Sequence, residues 1–338
     1  MRTAFVTGTA GFIGYHLATL LLAKGWRVVG FDALTDYYDV ALKERRQAML
    51  LQNEHFFTTK ARLEDGEAVS RAVAEADPDV IVHLAAQAGV RYSLENPRAY
   101  LDTNVIGTFN VMEAARVAEV DHLLMASTSS VYGGNTEMPF TETEKADTQM
   151  TIYAATKKAN ESMGHSYAHL WGLPTTMFRF FTVYGPWGRP DMALFKFTKG
   201  IIEGTPIDIY NHGEMHRDFT YVADLVEGIR LLIDAVPPGP DTGRDALPEN
   251  DSISPIAPFR VVNIGNSDKV RLLDFIEAIE DELGMKAERN YMDMQAGDVP
   301  ATWADASLLQ ALTGHRPATD VREGVGRFVR WYREFYDA

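Results

Sequence analysis

The chain of 338 residues contains no cysteine. Disulfide bonds, thiolate metal sites and cysteine nucleophiles are therefore excluded, and any redox chemistry must come from a bound cofactor. No stretch approaches the roughly twenty apolar residues that a membrane helix needs. The first residues lead into a strand pattern rather than a signal peptide, which predicts a cytoplasmic location.

Positive charge is scarce: 32 lysines and arginines stand against 47 acidic residues, for a formal net charge of -15. Such a surface repels phosphate backbones and anionic lipids, so neither nucleic acid nor membrane is an expected partner. Any anionic substrate must be bound by local arginines. Histidine and carboxylate residues do not cluster at metal-ligand spacing, and we predict no metal.

Short apolar segments alternate with amphipathic helical stretches through the first half of the chain. The apolar segments cover residues 3–7, 27–31, 55–57, 80–84 and 122–126. This alternation predicts an α/β fold with a doubly wound parallel Rossmann sheet. We expect a dinucleotide-binding domain over residues 1–180 and a smaller C-terminal α/β substrate-binding lobe over residues 181–338, with some crossing of the chain between them. The segment 237–258, rich in Pro, Gly, Asp and Ser, is interpreted as a surface loop or a flap.

A glycine-rich turn follows the first strand and opens the first helix. Gly8, Gly11 and Gly14 are spaced so that backbone N–H groups can approach a pyrophosphate, although tight packing alone could also require them. Asp32 ends the second strand, where a carboxylate accepts hydrogen bonds from the adenosine ribose and repels a 2'-phosphate. These residues favour NAD over NADP, the alternative for Asp32 being a loop cap.

Tyr153 and Lys157 are four residues apart and so share one face of a helix. A nearby ammonium favours the phenolate that a tyrosine needs to act as a base, whereas most such pairs are solvated helix faces. The pair begins the helix after the fifth strand, and Thr128 follows that strand directly. Because ligands bind at the carboxyl ends of parallel strands, we interpret these residues as a proton-transfer group.

Together with Leu84-Ala85-Ala86-Gln87 and Asn104, these motifs resemble the extended short-chain dehydrogenase/reductase superfamily over nearly the whole chain. Residues 88–93, 179–193, 217–222 and 297–302 are similar to the UDP-glucuronate 4-epimerase family within it. The resemblance implies that Thr128, Tyr153 and Lys157 are catalytic. It implies NAD-binding roles for Gly8, Gly11, Phe12, Ile13, Gly14, Asp32, Lys43, Leu63, Leu84, Ala85, Ala86, Tyr153, Lys157 and Phe180. It implies substrate-binding roles for Gln87, Arg91, Ser129, Ser130, Thr182, Arg189, Arg217 and Asp298.

The implied reaction inverts carbon 4 of UDP-glucuronic acid, giving UDP-galacturonic acid through a 4-keto intermediate, with tightly bound NAD regenerated in each turnover. The resemblance also implies a homodimer formed by helices around residues 98–117 and 151–170. One departure concerns the adenine site, where the family usually has Asp-Leu and this chain has Arg62-Leu63.

Three other functions remain open at this point. A UDP-glucose or UDP-N-acetylhexosamine 4-epimerase would need no device for a carboxylate. A UDP-glucuronate decarboxylase would release carbon dioxide from the same keto acid, but related decarboxylases carry acidic side chains after the catalytic threonine, where this chain has Ser129 and Ser130. A dinucleotide-sensing regulator would keep the fold and commonly lack the Tyr-Lys pair.

Overall fold

The computed structural model describes residues 1–295 and 297–338, and in these ranges a parallel sheet of seven strands forms the centre of the molecule. The strands of the chain are β1 (Thr3–Thr7), β2 (Arg27–Asp32), β3 (Phe56–Lys60), β4 (Val80–His83), β5 (His122–Ala126), β6 (Thr175–Phe180), β7 (Thr182–Tyr184), β8 (Ile207–Ile209), β9 (His216–Arg217), β10 (Phe219–Tyr221), β11 (Phe259–Ile264), β12 (Val270–Arg271), β13 (Arg289–Tyr291) and β14 (Ala301–Thr302). The central sheet has the order β11-β6-β5-β4-β1-β2-β3.

The helices are α1 (Phe12–Ala23), α2 (Val40–Leu50), α3 (Gly66–Ala76), α4 (Tyr92–Glu95), α5 (Pro97–Tyr100), α6 (Thr108–Val117), α7 (Ile152–Trp171), α8 (Ala193–Glu203), α9 (Val222–Asp234), α10 (Leu272–Leu283), α11 (Ser307–Thr313) and α12 (Val321–Tyr336). Helices α1, α9 and α11 pack on one face of the central sheet and α3, α6 and α7 on the other, and one hydrophobic core fills each interface. Leu17 of α1 and Ile229 of α9 belong to one core, Val69 of α3 and Met112 of α6 to the other. Strands covered on both faces are largely apolar, and β1 and β4 are accordingly buried along their whole length.

The second lobe is built from short strand groups around a separate core. In this lobe β7 pairs with β10, β8 with β13, and β9 with both β12 and β14. Its core contains Phe219 and Phe275, whose rings stack with centroids 3.9 Å apart. After this lobe has begun, β11 pairs in parallel with β6 at the edge of the central sheet. The chain therefore crosses between the lobes beyond the predicted boundary at residue 180.

The helix predicted around residues 98–117 is interrupted by a π-helix at Leu101–Gly107. Its fully buried Asn104 accepts a hydrogen bond from the Gln87 backbone N–H (2.8 Å) and donates to the Gln87 carbonyl (3.0 Å). A Cβ on Gly107 would lie 2.6 Å from Leu63 Cβ, so only glycine permits this approach. The wider turn thus places an amide against the loop after β4, a common use of π-helical insertions near functional sites.

The segment 237–258 contains neither helix nor strand, as predicted, and it is anchored to the body of the protein. Asp251 accepts two hydrogen bonds of 2.8 Å from the buried guanidinium of Arg260, and Ser254 bonds to His165 of α7 (2.8 Å). None of its residues lines the cleft described below. The structure therefore favours a surface loop over a flap.

The described helices include none with the length and apolarity needed to cross a membrane.

Candidate active site

A cleft of about 1080 Å³ opens at the carboxyl ends of the central strands and continues between the two lobes. Every residue for which the resemblance implied a role lines it, while the individual roles stay predictions. The cleft is lined by Gly8, Gly11, Phe12, Ile13, Gly14, Asp32, Lys43, Leu63, Leu84, Ala85, Ala86, Gln87, Arg91, Thr128, Ser129, Ser130, Tyr153, Lys157, Phe180, Thr182, Arg189, Arg217 and Asp298. Residues from distant parts of the chain meet here because parallel strands all end at the same edge.

The turn between β1 and α1 is too tight for side chains at its glycines. Gly8 has φ +80°, and a Cβ there would lie 2.9 Å from the Ala85 nitrogen. At Gly14 a Cβ would lie 2.0 Å from the Gly8 carbonyl oxygen, so α1 can begin this close to the turn only because no side chain intervenes. The first N–H groups of a helix have no partner within the helix, and Phe12, Ile13 and Gly14 line the cleft, so the start of α1 suits a pyrophosphate, which is the group that NAD carries.

Asp32 both shapes this turn and stands at the expected ribose position. Its carboxylate accepts hydrogen bonds from the backbone N–H groups of Ala10 (2.9 Å) and Leu34 (2.8 Å). Each oxygen retains acceptor capacity for a ribose hydroxyl. Lys43 is buried close by, and its ammonium donates to the Thr35 carbonyl (2.5 Å). The loop-cap role considered for Asp32 is thus real and compatible with cofactor binding.

The predicted adenine end of the cleft includes Arg62 and Leu63. Leu63 is buried, whereas the Arg62 side chain is 66% exposed and lies 3.5 Å from the Glu64 carboxylate. Glu64 in turn accepts a hydrogen bond from Thr103 of the π-helix (2.6 Å). Arg62 therefore lines the cleft as a surface cation where the family usually has an aspartate.

Thr128 and Tyr153 lie together at the inner end of the cleft. Thr128 begins a 3-10 turn at Ser129–Tyr132, and its hydroxyl accepts from the Ser130 N–H (3.2 Å). Burial raises the pKa of Tyr153, while the neighbouring Thr128 hydroxyl and the positive charge of Arg189 lower it. The net shift is upward, so the phenol of the chain by itself is protonated at neutral pH. Further positive charge must come from a bound ligand to make it a base.

Lys157 is buried, and its ammonium donates to the carbonyl of Ala126 at the end of β5 (2.9 Å). Burial lowers the pKa of Lys157 to about 8. Its charge also contributes, after burial, to lowering the pKa of His83 to about 3. Lys157 is thus a desolvated cation at the end of β5, and its predicted action on the Tyr153 phenol stays a prediction, because the pKa of Tyr153 responds to burial, Thr128 and Arg189.

A third side chain on the same face of α7 was missed by the sequence analysis. Glu161 lies four residues after Lys157 and accepts a hydrogen bond from Ser127, the residue before Thr128 (2.7 Å). Arg179 of β6 binds the same carboxylate through two hydrogen bonds of 2.9 and 2.8 Å. The repeat of four residues was the available signal, because Tyr153, Lys157 and Glu161 all face the end of β5.

The other end of the cleft carries hydroxyls and arginines. Ser129, Ser130 and Thr182 are partly exposed and uncharged. Arg189 is paired with Asp191 (2.5 Å), while Arg217 donates to the His216 carbonyl (2.9 Å) and so keeps donors for a ligand. A longer contact of 3.4 Å joins Arg91 to Asp298 and connects the two lobes. Among the described residues no group of three acidic or histidine side chains is arranged to hold a metal.

Arg46 of α2 was also missed, since an arginine on an amphipathic helix is normally exposed. Its side chain is completely buried and donates to the Ala10 carbonyl in the glycine turn (2.9 Å) and to the Trp187 carbonyl (2.5 Å). The available signal was spacing, because Arg46 lies four residues from both Leu42 and Leu50 on the buried face of α2, whereas Arg45 is exposed.

Comparison with known proteins agrees with this geometry. Residues 4–243 match the NAD dependent epimerase/dehydratase family. The chain is 55% identical, over 98% of its length and 97% of the relative's, to a probable UDP-glucuronate 4-epimerase of Rhizobium meliloti (strain 1021). It is 43% identical to UDP-glucuronate 4-epimerase 4 of Arabidopsis thaliana, over 99% of this chain and 76% of that protein.

Among solved structures, UDP-glucuronic acid 4-epimerase from Bacillus cereus in complex with UDP-glucuronic acid and NAD is similar, with a TM-score of 0.87 and 30% identity. The match covers 99% of this chain and 100% of that one. The family match and these relatives therefore lead to one assignment: the chain belongs to the NAD-dependent epimerase/dehydratase family.

Proposed function

We propose that this enzyme inverts carbon 4 of UDP-glucuronic acid and so interconverts it with UDP-galacturonic acid. The arrangement that carries the proposal is the proximity of Thr128 and Tyr153 to a set of uncharged hydroxyls in one cleft. The first group moves the proton of a sugar hydroxyl, and the second can bind a sugar carboxylate. The relatives that act on UDP-glucuronate, similar over the whole chain, support the same substrate.

NAD fits the glycine turn because the turn exposes N–H groups to a pyrophosphate and has Asp32 at its ribose end. When bound, NAD supplies the reversible oxidation of carbon 4 of the sugar. Gly8, Gly11 and Gly14 would hold its pyrophosphate, and Lys157 its nicotinamide ribose. We also propose that NAD stays bound between turnovers, because inversion regenerates it.

Tyr153 takes the proton from the sugar's 4-hydroxyl as carbon 4 is oxidised, and returns it when carbon 4 is reduced on its other face. Thr128 shares this proton, because its hydroxyl lies beside the phenol and lowers the pKa of Tyr153. Lys157 contributes a buried positive charge that favours the phenolate. Positive charge in the occupied cleft thus reverses the upward shift that burial imposes on the phenol.

Serine and threonine hydroxyls explain why the sugar carboxylate would survive the reaction. The 4-keto intermediate is a β-keto acid and loses carbon dioxide unless its carboxylate is held. Ser129, Ser130 and Thr182 can donate hydrogen bonds to that carboxylate without adding an acid or base. We therefore propose epimerisation rather than decarboxylation as the outcome.

The test is to incubate the purified enzyme with UDP-glucuronic acid and NAD and to resolve the anomeric protons by NMR. We expect UDP-galacturonic acid without UDP-pentose. UDP-pentose as the main product would identify a decarboxylase. Turnover of UDP-glucose or UDP-N-acetylglucosamine in preference to the uronate would contradict the proposed substrate, and tight NAD binding without any turnover would indicate a regulator.

Two variants tie the activity to the site. Tyr153→Phe removes the proton-transfer hydroxyl and should lower kcat by about a hundredfold or more. Tyr167→Phe is the matched control, since this tyrosine lies on the same helix outside the cleft and bonds to Glu113. Equal activity of the two variants would contradict the role of Tyr153.

We further propose a homodimer formed by the outer faces of α6 and α7. Large apolar side chains are exposed there and at the end of the adjoining π-helix: Ile106 (50%), Phe109 (44%), Leu170 (64%) and Trp171 (51%). A second copy of the chain would bury these side chains, since the opposite faces of the same helices already cover the sheet. Sedimentation should show a dimer at micromolar concentration. The double variant Ile106→Glu, Phe109→Glu should be a monomer, whereas the control Met285→Glu, at another exposed position, should not be; a monomeric wild type would exclude the dimer.

We also propose a cytoplasmic location, which the absence of cysteine supports.

A further inference from the structure

Arg46 has an unusual environment for a buried arginine. Its side chain is 0% exposed, and its hydrogen bonds go to uncharged groups: the carbonyls of Ala10 (2.9 Å), Trp187 (2.5 Å) and Gly188 (3.4 Å), and the Tyr38 hydroxyl (2.8 Å). Within the described ranges, its Nε has no hydrogen-bond partner, and no carboxylate lies at ion-pair distance from its guanidinium.

Two other buried arginines of this chain show what is missing. Arg179 and Arg260 are equally buried, and each binds a carboxylate through two hydrogen bonds, Glu161 in one case and Asp251 in the other. Burying a charge without a counter-charge is costly, and proteins rarely do so without a functional reason. The guanidinium of Arg46 is in this costly state unless an anion binds nearby.

The position of Arg46 indicates which anion. The Ala10 carbonyl that it binds belongs to the glycine turn, and the N–H of the same residue is held by Asp32 (2.9 Å). Arg46 therefore lies directly behind the loop whose opposite side faces the cleft. A pyrophosphate bound at that loop would add counter-charge close to Arg46, beyond that of Asp32 on the N–H side of Ala10.

The second contact of Arg46 reaches the substrate lobe. Trp187 has φ +61°, a left-handed conformation that is strained for a bulky residue. Arg46 binds its carbonyl, and His16 bonds to the preceding Pro186 carbonyl (2.9 Å). This strained turn leads into Arg189, which lines the cleft. One guanidinium thus connects the glycine turn with the segment that presents Arg189.

We propose that Arg46 is a positioning residue that joins the two phosphate-binding segments of the cleft: its buried charge strengthens binding at the glycine turn, and its hydrogen bond to the Trp187 carbonyl holds the segment that presents Arg189. The inference rests on the proposed function, in which NAD occupies the glycine turn and a UDP-sugar the arginine end. It assigns to α2 a role in both binding events, although Arg46 itself does not line the cleft.

The test is isothermal titration calorimetry of NAD and of UDP into the full-length enzyme and three variants, each freed of NAD beforehand. Arg46→Met should weaken the Kd for each ligand by about ten- to a hundredfold, because charge and hydrogen bonds are both lost. Arg45→Met is the matched control: it removes the same charge from the exposed neighbouring position and should leave both Kd values within about twofold of wild type.

Arg46→Lys separates linkage from charge. The ammonium keeps the positive charge behind the glycine turn but cannot bind the Ala10 and Trp187 carbonyls with the geometry of a guanidinium. We expect NAD affinity close to wild type and UDP affinity weakened by about tenfold. This difference between the NAD and UDP affinities of Arg46→Lys also tests the inference if Arg46→Met does not fold, since a merely structural role of Arg46 would weaken the binding of both ligands alike.

Several results would overturn the inference. Arg46→Met binding both ligands as well as Arg45→Met would exclude the contribution of the charge. Unchanged affinity of Arg46→Lys for UDP would exclude the proposed linkage. An affinity of Arg46→Lys for NAD as low as that of Arg46→Met would exclude the proposed effect of the charge. A wild-type enzyme that binds neither NAD nor UDP would instead contradict the proposed function, and the inference with it.

Discussion

Replacing Glu161 by glutamine tests how much the buried ion pair between Glu161 and Arg179 contributes to the free energy of unfolding. The Glu161 and Arg179 side chains are 4% and 3% exposed, and two hydrogen bonds join them. Ser127 donates a third hydrogen bond to the carboxylate (2.7 Å). Glutamine has nearly the same shape, so the substitution removes the charge with little change in packing.

The expected loss follows from what remains after the substitution. Removing one partner of a buried ion pair costs about 3–5 kcal/mol, because the other charge is left uncompensated. Glutamine keeps one acceptor oxygen, so we expect the lower end, about 3 kcal/mol of the free energy of unfolding. Lys158 also contacts Glu161 (3.1 Å) but is partly exposed at 28%, and Lys158→Met should cost less than about 1 kcal/mol.

The assay is urea-induced unfolding of wild type, Glu161→Gln and Lys158→Met at equal chain concentration. Burial raises the pKa of Glu161, but the hydrogen bonds and charge of Arg179 more than offset this, and the net pKa lies below the ordinary value of 4.5. A lowered carboxyl pKa stabilises the fold above pH 4.5, and the contribution disappears as the pH falls through the lowered pKa. The difference in the free energy of unfolding between wild type and Glu161→Gln should therefore be largest at neutral pH and become smaller at acidic pH. A loss below about 1 kcal/mol at neutral pH would refute the reasoning.

Three further predictions concern the cleft. Lys157→Met should abolish turnover yet raise the unfolding temperature of NAD-free protein near pH 7, because burial of the ammonium destabilises the fold and lowers the pKa of Lys157 to about 8. This destabilisation disappears as the pH rises towards 10.5, and the gain in unfolding temperature should disappear with it. An equal gain at all pH values would contradict the prediction. Gly14→Ala places a Cβ 2.0 Å from the Gly8 carbonyl oxygen, and the purified variant should lack the absorbance of bound NAD. Gly239→Ala is the control and should keep that absorbance, because the atom nearest to its Cβ is 3.9 Å away. Ser127→Ala removes a buried hydrogen bond and should lower kcat by up to about tenfold with KM unchanged in steady-state assays, whereas a rise in KM alone would point to substrate binding.

The sequence was sufficient for features whose members are close together along the chain. The glycine turn could be predicted because a strand, three glycines and a helix follow one another directly, and Asp32 because the next strand ends at a regular distance. Tyr153 and Lys157 share a helix face by spacing alone. The parallel sheet followed from the alternation of apolar segments, because such segments must be covered by helices on both faces.

The π-helix at Leu101–Gly107 escaped prediction because helical periodicity hardly changes when one turn widens by a residue. Its cause is tertiary: Gly107 packs against Leu63, and Asn104 satisfies the backbone of Gln87. The anchoring of the segment 237–258 depends likewise on Arg260, which lies outside it.

What the sequence by itself determined was the nucleotide-binding fold and the residues that line its cleft, because these depend on local spacing and on the common edge at which parallel strands end. Only the tertiary structure decided which charges are buried and what they bind. Arg45 and Arg46 are indistinguishable by composition and adjacent on one helix, yet Arg46 alone meets the carbonyl of Trp187, 141 residues away. Burial of a charge depends on contacts between distant segments, and those contacts exist only after the two lobes have packed together.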